Sequence, residues 1–380
     1  MKLLIHDYDQ TEWNQLASAY EGWKVLSDHD RIHPCVGCFG CWLKTPCECG
    51  IKDGYEIMPR LLHQADEVLI LSRYTYGGFS SFVKNVLDRS IAYNLPFFRI
   101  YQGEMHHQPR YKEVKPLRVV FRGHGLTAEA QACARNYVEA VCKNLNAELR
   151  ELRFEDCAQR PEPVSAGALS QSPEGKTLFL NCSLRGANAN TNKFLDVIAT
   201  RVTGDVMRCN LPADLSKLDE LSRTVASAQK VVLGIPLYVD GVPSAPLRLM
   251  ELLEKAQTGR GKKVYVVSNM GFYESRQIQN LLAIMKNWCG QCEYAYCGGI
   301  AIGAGEMMGQ VIQLGNKGPG KKVYESLLRF GEAIESAETI PDLYTETNKF
   351  PRFLYFLAAD SGMKKTGKSN GLKRRDLLVE

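Results

Sequence analysis

The stretch ADEVLILSRYTYGGFSSFV, residues 65–83, aligns without a gap with AQKVVLGIPLYVDGVPSAP, residues 228–246. Each stretch runs from an apolar segment rich in Val, Leu and Ile, through a short loop, into the start of a helical pattern. Gly78 aligns with Gly241 and Ser81 with Ser244. We interpret the two stretches as copies of one duplicated module whose loops have diverged.

Apolar runs and helical patterns alternate on both sides of each copy. Strands are predicted at 2–6, 23–26, 67–72, 117–122 and 147–153, and again at 177–182, 204–209, 230–235, 262–268 and 294–302. Helices are predicted at 79–87, from Thr127 to 145, and at 190–201, 243–256, 273–288 and 320–337. The strands lack strict polar alternation, which is typical of strands buried on both faces. The expected fold class is α/β, with two tandem doubly wound parallel sheets that carry helices on both faces.

A chain of 380 residues is long enough for two domains. The predicted boundaries are 1–154 for the first domain, 155–175 for a Pro-, Ser- and Gly-rich linker, 176–340 for the second domain and 341–380 for a C-terminal extension. The extension ends in a basic tail, which we interpret as solvated and partly disordered rather than as a docking arm for an acidic partner. The tail consists of Lys364, Lys365, Lys368, Lys373, Arg374 and Arg375.

The composition excludes several classes of protein. Hydrophobic content of 45% and charged content of 23% are those of a globular protein, and no apolar run approaches membrane-spanning length. Aromatic residues do not interleave the basic tail, which weighs against a nucleic-acid partner. The N-terminus lacks the apolar core of a secretion signal, so a cytoplasmic protein is expected.

A polar loop follows the first predicted strand of the second half, where KTLFLNC leads into SLRGANANT. Backbone N–H groups and hydroxyls at a helix start bind phosphate, and Arg185 adds positive charge. A simple helix cap needs only one such residue, so five polar candidates within nine positions favour an anion site over a cap. The five are Ser183, Arg185, Asn188, Asn190 and Thr191.

Two further loops follow the third and fourth strands of the second half, GIPLYVDGVPSAP and SNMGFYESRQ. Pro236 and Gly271 suit tight turns, while Tyr238, Phe272 and Tyr273 offer flat surfaces to an aromatic ring system. Loops at the carboxyl ends of neighbouring parallel strands meet at one edge of the sheet, where ligands bind.

With these three motifs in order, the second half resembles the flavodoxin-like NAD(P)H-dependent FMN reductase superfamily. The resemblance implies that the five polar residues hold the FMN phosphate, that NAD(P)H is a co-substrate and that no side chain acts as a catalytic acid or base. It further implies that a second set of residues borders the isoalloxazine ring. That set is Pro236, Leu237, Tyr238, Val239, Asn269, Gly271, Phe272 and Tyr273.

The corresponding loop of the first half, DYDQTEW, contains Asp7 and Asp9 but no arginine. Carboxylates repel phosphate, so FMN is not expected there. In the next loop Arg73 stands where the second half has Pro236. The segment GEMHHQPRY is interpreted as an inserted loop that closes over a neighbouring site.

The first half contains five of the chain's 13 cysteines within residues 35–49. Cys35, Cys38, Cys41 and Cys49 give the spacing C-x2-C-x2-C-x7-C, which resembles the cysteine motif of iron-sulfur flavoproteins. This resemblance implies a [4Fe-4S] cluster, but thiols without metal are an equal alternative. Zinc and a regulatory disulfide are further alternatives.

The leading functional hypothesis is an NAD(P)H-dependent FMN oxidoreductase that passes electrons to a quinone-like or other small electrophilic acceptor. An iron-sulfur flavoprotein acting in electron transfer is the first alternative. A non-enzymatic flavin-binding sensor or scaffold is the second. A homo-oligomer and a redox protein partner both stay open.

Overall fold

The computed structural model describes residues 1–27, 32–156, 175–257, 260–347 and 350–379. The chain folds into two compact units. The first unit consists of Met1–Pro161 with Phe356–Glu380, and the second of Glu162–Tyr355. Most of the predicted linker, 157–174, lies outside the described residues. The predicted C-terminal extension is divided, because residues 356–380 belong to the first unit and the rest to the second.

The described part of the first unit contains a main sheet, a small hairpin and five helices before the C-terminal segment. Its strands are β1 Lys2–His6, β2 Lys24–Ser27, β3 Glu67–Arg73, β4 Asn94–Tyr101, β5 Glu104–Pro109, β6 Lys115–Gly123 and β7 Ala147–Asp156. Its helices are α1 Gln10–Leu16, α2 Gly40–Leu43, α3 Met58–Gln64, α4 Ser81–Arg89 and α5 Ala128–Asn144.

The second unit has its own sheet and helices. Its strands are β8 Thr177–Asn181, β9 Val206–Asn210, β10 Lys230–Pro236, β11 Lys263–Asn269, β12 Ala295–Ile302 and β13 Leu343–Thr345. Its helices are α6 Asn190–Ala199, α7 Leu218–Ala226, α8 Ser244–Lys255, α9 Gln279–Gln291, α10 Gly305–Val311 and α11 Lys321–Glu335. A last helix, α12 Arg352–Ser369, begins in the second unit and ends in the first.

Both main sheets are parallel and share one strand order. The first runs β2-β1-β3-β6-β7 and the second β13-β12-β11-β10-β8-β9. Counted within each unit, both contain the order 2-1-3-4-5, which is the flavodoxin-like arrangement. The second sheet adds β13 beside β12. The predicted fold class of two tandem flavodoxin-like sheets is therefore confirmed.

The core of the second unit shows why its strands are apolar without alternation. Phe179 and Val232 pack with the α6 side chains Phe194 and Ile198 on one face of the sheet. Leu178 and Leu180 of β8, and Leu233 of β10, point the other way and are buried too. Both faces are covered, as in other parallel sheets.

Two local details repeat in the two units and support the duplication. Each unit has a β-bulge in the fifth strand of the shared order. There β7 and β12 each contain one residue more than the part of the neighbouring strand with which they pair. Lys115 donates to the carbonyls of His63 and Ala65, and Lys262 donates to those of Ala226 and Ala228. Burial lowers the pKa of Lys115, and lowers that of Lys262 to about 8.

Some elements differ from the sequence expectation. The inserted loop predicted at GEMHHQPRY is wrong, because β5 pairs there with β4 as an antiparallel hairpin. The basic tail is exposed as expected, but Lys364, Lys365 and Lys368 lie in α12 rather than in a disordered end. Among the described residues, no helix combines the length and apolar character needed to cross a membrane.

Candidate functional site

The candidate site lies at the carboxyl ends of β8 and β10. These strands are neighbours, and from them the chain leaves in opposite directions along the sheet, which makes this the switch point where flavodoxin-like folds bind ligands. Close packing is required here, because a Cβ on Gly234 of β10 would lie 2.7 Å from the methyl group of Thr191. Glycine therefore lets the start of α6 approach the sheet.

Asn181 organises the loop between β8 and α6. Its side-chain amide donates to the Gly186 carbonyl at 2.9 Å, and its side-chain oxygen accepts from the Ser183 N–H at 3.1 Å. Gly186 has a φ of +59°, which suits glycine. Asn181 was not singled out from the sequence, although a polar residue that ends an apolar strand was the signal for it.

Helix α6 begins without a side-chain cap. Ala189 is its N-cap residue, and no described side chain accepts a hydrogen bond in that role. The helices α1, α4 and α5 are capped by Asp9, Ser80 and Thr127, whereas α7 to α11 begin without a side-chain cap, as α6 does. The first-turn N–H groups of such a helix start can bind an anion.

Two of the predicted phosphate ligands converge on one carboxylate. Arg185 Nη1 lies 3.1 Å from one oxygen of Glu306, and Asn190 Nδ2 lies 3.0 Å from the other. A guanidinium and an amide that point at the same carboxylate form a donor set that fits a phosphate group. The donor groups of the loop are therefore of the kind that could bind an FMN phosphate.

The other predicted phosphate ligands lie differently. Ser183 and Thr191 are buried, and the Thr191 hydroxyl accepts from the Asn269 side chain at 2.7 Å. This bond ties the polar loop to the loop after β11. Asn188 is exposed.

The loop after β10 forms a tight turn. Tyr238 and Gly241 exchange backbone hydrogen bonds of 3.2 and 3.0 Å, and the two central residues, Val239 and Asp240, have φ values of +40° and +59°. Positive φ at both central positions is the pattern of a type I′ turn. The same turn occurs in the first unit, where Thr75 and Gly78 are paired.

The loop after β11 is held from two sides. Its neighbour after β10 is attached by the Leu237 N–H, which donates to the Asn269 carbonyl at 2.9 Å. On the other side, the Tyr273 hydroxyl donates to the Phe350 carbonyl at 2.9 Å, and the Tyr355 hydroxyl donates to the Gly271 carbonyl.

The predicted ring-binding residues are placed around this edge. Pro236, Leu237, Tyr238, Val239, Gly271, Phe272 and Tyr273 are half-buried, and Asn269 is buried. Tyr355 and the segment before it were missed from the sequence, because residues so distant along the chain give no local signal.

The corresponding position in the first unit is filled by its own side chains. Asp9 caps α1 and forms a capping box with Glu12, and the Glu12 N–H lowers the pKa of Asp9. Asp7 accepts from the Arg73 N–H at 2.9 and 3.1 Å. Arg73 and Arg122 also pair with Glu12, at 2.9 and 3.3 Å. Carboxylates thus occupy the start of α1 in the first unit, whereas the start of α6 in the second unit has no capping side chain.

The cysteine-rich segment packs on α4. All nine residues of α4 are buried. Arg89 holds the segment through Asp53, at 2.7 and 3.0 Å, and through the carbonyls of His33 and Ile51. Burial would raise the pKa of Asp53, but the hydrogen bonds from Arg89 and the backbone lower it overall. Arg89 therefore has a structural role that the sequence did not reveal.

The four predicted metal ligands lie near one another, because the charges of Cys35, Cys38 and Cys49 all act on the Cys41 thiol. Burial raises the pKa of Cys35 to about 12 and also raises that of Cys41. The Gly40 N–H donates to the sulfur of Cys38 at 3.4 Å. Across the described residues, no three His, Cys, Asp or Glu side chains are placed to hold a metal ion. The [4Fe-4S] cluster on Cys35, Cys38, Cys41 and Cys49 therefore stays a prediction.

No protein-family model matches the chain, and no curated protein matches it. Among solved structures it is similar to an azoreductase from Bacillus anthracis str. Sterne, with 14% identity over 42% of this chain and 99% of that chain, at a TM-score of 0.33. It is similar to an NADPH-quinone reductase from P. pentosaceus, with 16% identity, coverage of 42% and 95%, and a TM-score of 0.32. For an FMN-dependent NADH-azoreductase from Bacillus anthracis str. Ames Ancestor in complex with FMN, the identity is 12%, the coverage 52% and 97%, and the TM-score 0.22.

Proposed function

We propose that the second unit binds FMN, and that the chain is an NAD(P)H-dependent flavin oxidoreductase with a small electrophilic acceptor such as a quinone. The observation that carries this proposal is that Arg185 and Asn190 both contact the Glu306 carboxylate beside the uncapped start of α6, at the switch point of the sheet. A cap and turn alone would not require that convergence.

The polar loop would bind the FMN phosphate. Arg185 supplies a charged donor, Asn190 an amide donor, and the first turn of α6 supplies backbone N–H groups. Ser183 and Thr191 are buried and shape the loop from within. The bond from Asn269 to Thr191 keeps this loop in register with the loop that would border the ring.

The loops after β10 and β11 would border the isoalloxazine. The backbone hydrogen bond from the Leu237 N–H to the Asn269 carbonyl joins the two loops, so it fixes their relative position. Tyr238 and Phe272 are half-buried and offer aromatic surface at this edge. Such surfaces orient a flat ring and exclude water from it.

FMN, when bound, supplies the hydride chemistry between NAD(P)H and the acceptor. The role of the chain is then to position the ring, to leave one face open to the nicotinamide and the acceptor, and to hold the phosphate. We assign no side chain the role of catalytic acid or base.

The proposal is tested by anaerobic titration of the FMN-loaded protein with NADH and with NADPH. We expect the visible absorbance of bound FMN to bleach with at least one of them and to return when benzoquinone is added. Protein that holds FMN but is bleached by neither nucleotide would be a flavin-binding sensor or scaffold, and the oxidoreductase proposal would be rejected.

A further inference from the structure

Glu306 occupies the anion position of the second unit. It is the second residue of α10, and its two carboxylate oxygens are shared between Arg185 and Asn190 at 3.1 and 3.0 Å. These are the two side chains assigned to the FMN phosphate. No local pattern in the sequence connects Glu306 with them, since more than a hundred residues separate it from either partner.

The backbone of α10 fixes Glu306 in this position. The Gly305 N–H donates to the Met270 carbonyl at 2.7 Å, which attaches the start of α10 to the loop after β11. Gly309 packs so tightly on Asn190 that a Cβ there would lie 2.2 Å from the Asn190 side-chain oxygen. Lys193 of α6 donates to the Gly309 carbonyl at 2.9 Å. The carboxylate is therefore presented by a helix that is attached to both loops of the site.

A phosphate and the Glu306 carboxylate cannot share these donors without strong repulsion. Like charges this close near a protein surface repel each other, and water and salt reduce the repulsion. The pair of Arg185 with Glu306 is partly exposed, with 37% and 44% of the two side chains accessible, so it is weak enough to be displaced. Because α10 is anchored, the displaced carboxylate stays near the phosphate.

We propose that Glu306 is a built-in competitor for the FMN phosphate, which lowers the affinity of the second unit for FMN and makes the flavin exchangeable. This inference rests on the proposed function. Glu306 would then lower the preference of the site for FMN over riboflavin, because riboflavin has no phosphate with which the carboxylate could compete. In the first unit, carboxylates already cap the corresponding helix start, because Asp9 and Glu12 form a capping box at α1.

The test compares Glu306→Gln with the unaltered chain in their flavin-free forms, by titration with FMN and with riboflavin. We expect Glu306→Gln to bind FMN roughly five- to tenfold more tightly and to release it more slowly, as loss of an exposed charge contact permits. Riboflavin affinity should be the same in both proteins. Glu325→Gln is the matched control, because Glu325 pairs with Lys321 on α11 and not with the polar loop.

Equal FMN affinity in the two proteins would overturn the inference. Weaker FMN binding by Glu306→Gln would also overturn it, because Glu306 would then position Arg185 and Asn190 for the phosphate rather than compete with it. If neither protein bound FMN or riboflavin, the proposed function itself would be rejected, and this inference with it. These results are distinguishable in one set of titrations.

Discussion

Val239 lies in a backbone conformation that few β-branched residues adopt. Its φ is +40°, in the left-handed region, where a side chain branched at Cβ is crowded against the backbone. Strain of this kind costs of the order of 1–3 kcal/mol and is found most often at ligand sites. The aligned turn of the first unit has Tyr76 and Gly77 at its centre.

Replacement of Val239 by asparagine should therefore stabilise the chain. Asparagine tolerates positive φ, so we expect the free energy of unfolding in urea to rise by about 1 kcal/mol. Val114→Asn is the control, because Val114 is exposed and is not among the positive-φ residues of the described chain. A lower stability for Val239→Asn would mean that the turn is not strained.

Arg185 is the residue on which FMN affinity should depend most directly. Arg185→Ala removes a charge-assisted hydrogen bond, and we expect FMN binding to weaken by about 1.5 kcal/mol, at the low end for such contacts because the side chain is partly exposed. Riboflavin binding should be unaffected. Arg201→Ala, which removes a partner of Glu332, serves as the control, and an equal loss in both variants would refute the assignment.

The residues of the polar loop could be predicted from the sequence because they are adjacent and follow an apolar strand. Glu306 and Tyr355 could not, since each acts through a contact made only when distant segments meet. The cysteine spacing could also be seen in the sequence, but spacing alone does not distinguish free thiols from the ligands of a cluster.

At the scale of elements, the β4–β5 hairpin contains a half-buried histidine whose ring Nδ1 is buried. His107 lies with its ring 4.4 Å from that of Trp42 and 4.9 Å from that of Phe98. Burial lowers its pKa from 6.5 to about 3. The folded state therefore binds fewer protons than the unfolded state between these values, and stability is lost as the pH falls below 6.5.

We expect this histidine to make the hairpin acid-sensitive. Between pH 7.5 and 5.5 it should reduce the free energy of unfolding by about 1.4 kcal/mol, the value of one pKa unit. His107→Gln should lose this part of the pH dependence, and urea unfolding at the two pH values measures it. Asp360, whose pKa is raised by burial, contributes equally to both proteins and cancels in the comparison. The same slope in His107→Gln would show that another group titrates.

The C-terminal segment packs on the first unit through the buried Leu377, with the partly buried Met363 and Leu372 beside it. Leu377 is 1% exposed and packs with Trp42, Leu43 and Phe97, while the neighbouring Leu378 is 41% exposed. Arg110 donates to the Leu377 carbonyl at 3.1 Å.

The two adjacent leucines provide a matched pair of variants. Leu377→Ala should cost about 2–3 kcal/mol of stability, as for other buried leucines, and Leu378→Ala less than about 0.5 kcal/mol. Urea unfolding followed by tryptophan fluorescence suits this measurement, because Trp13, Trp23 and Trp42 all lie in the first unit. Equal effects of the two substitutions would mean that the segment is not docked.

The strands of both sheets other than β13 could be predicted, because continuous apolar runs bounded by turns identify buried parallel strands. The hairpin and α12 could not be placed in the same way. Pro96 interrupts the run NLPFFRIY of β4, and α12 has mixed apolar and basic residues without a helical stripe. Their positions depend on contacts such as that of Asp360 with the Phe98 N–H at 3.1 Å.

At the scale of the whole molecule, one fold occurs twice with different helix starts. In the first unit Asp9 and Glu12 satisfy the start of α1, whereas in the second unit α6 starts without a capping side chain. A helix start can bind its own carboxylate or an external anion, but the same N–H groups cannot serve both. On the proposed function, the helix start of the first unit is closed by its own carboxylates and that of the second unit would bind the FMN phosphate.

The stoichiometry of FMN binding tests this asymmetry most directly. Titration of the flavin-free chain with FMN, followed by calorimetry, should give one FMN per chain, and Arg185→Ala should weaken that single site. Two FMN per chain would contradict the closed first unit, and a single site that Arg185→Ala leaves unchanged would place the flavin somewhere other than the start of α6.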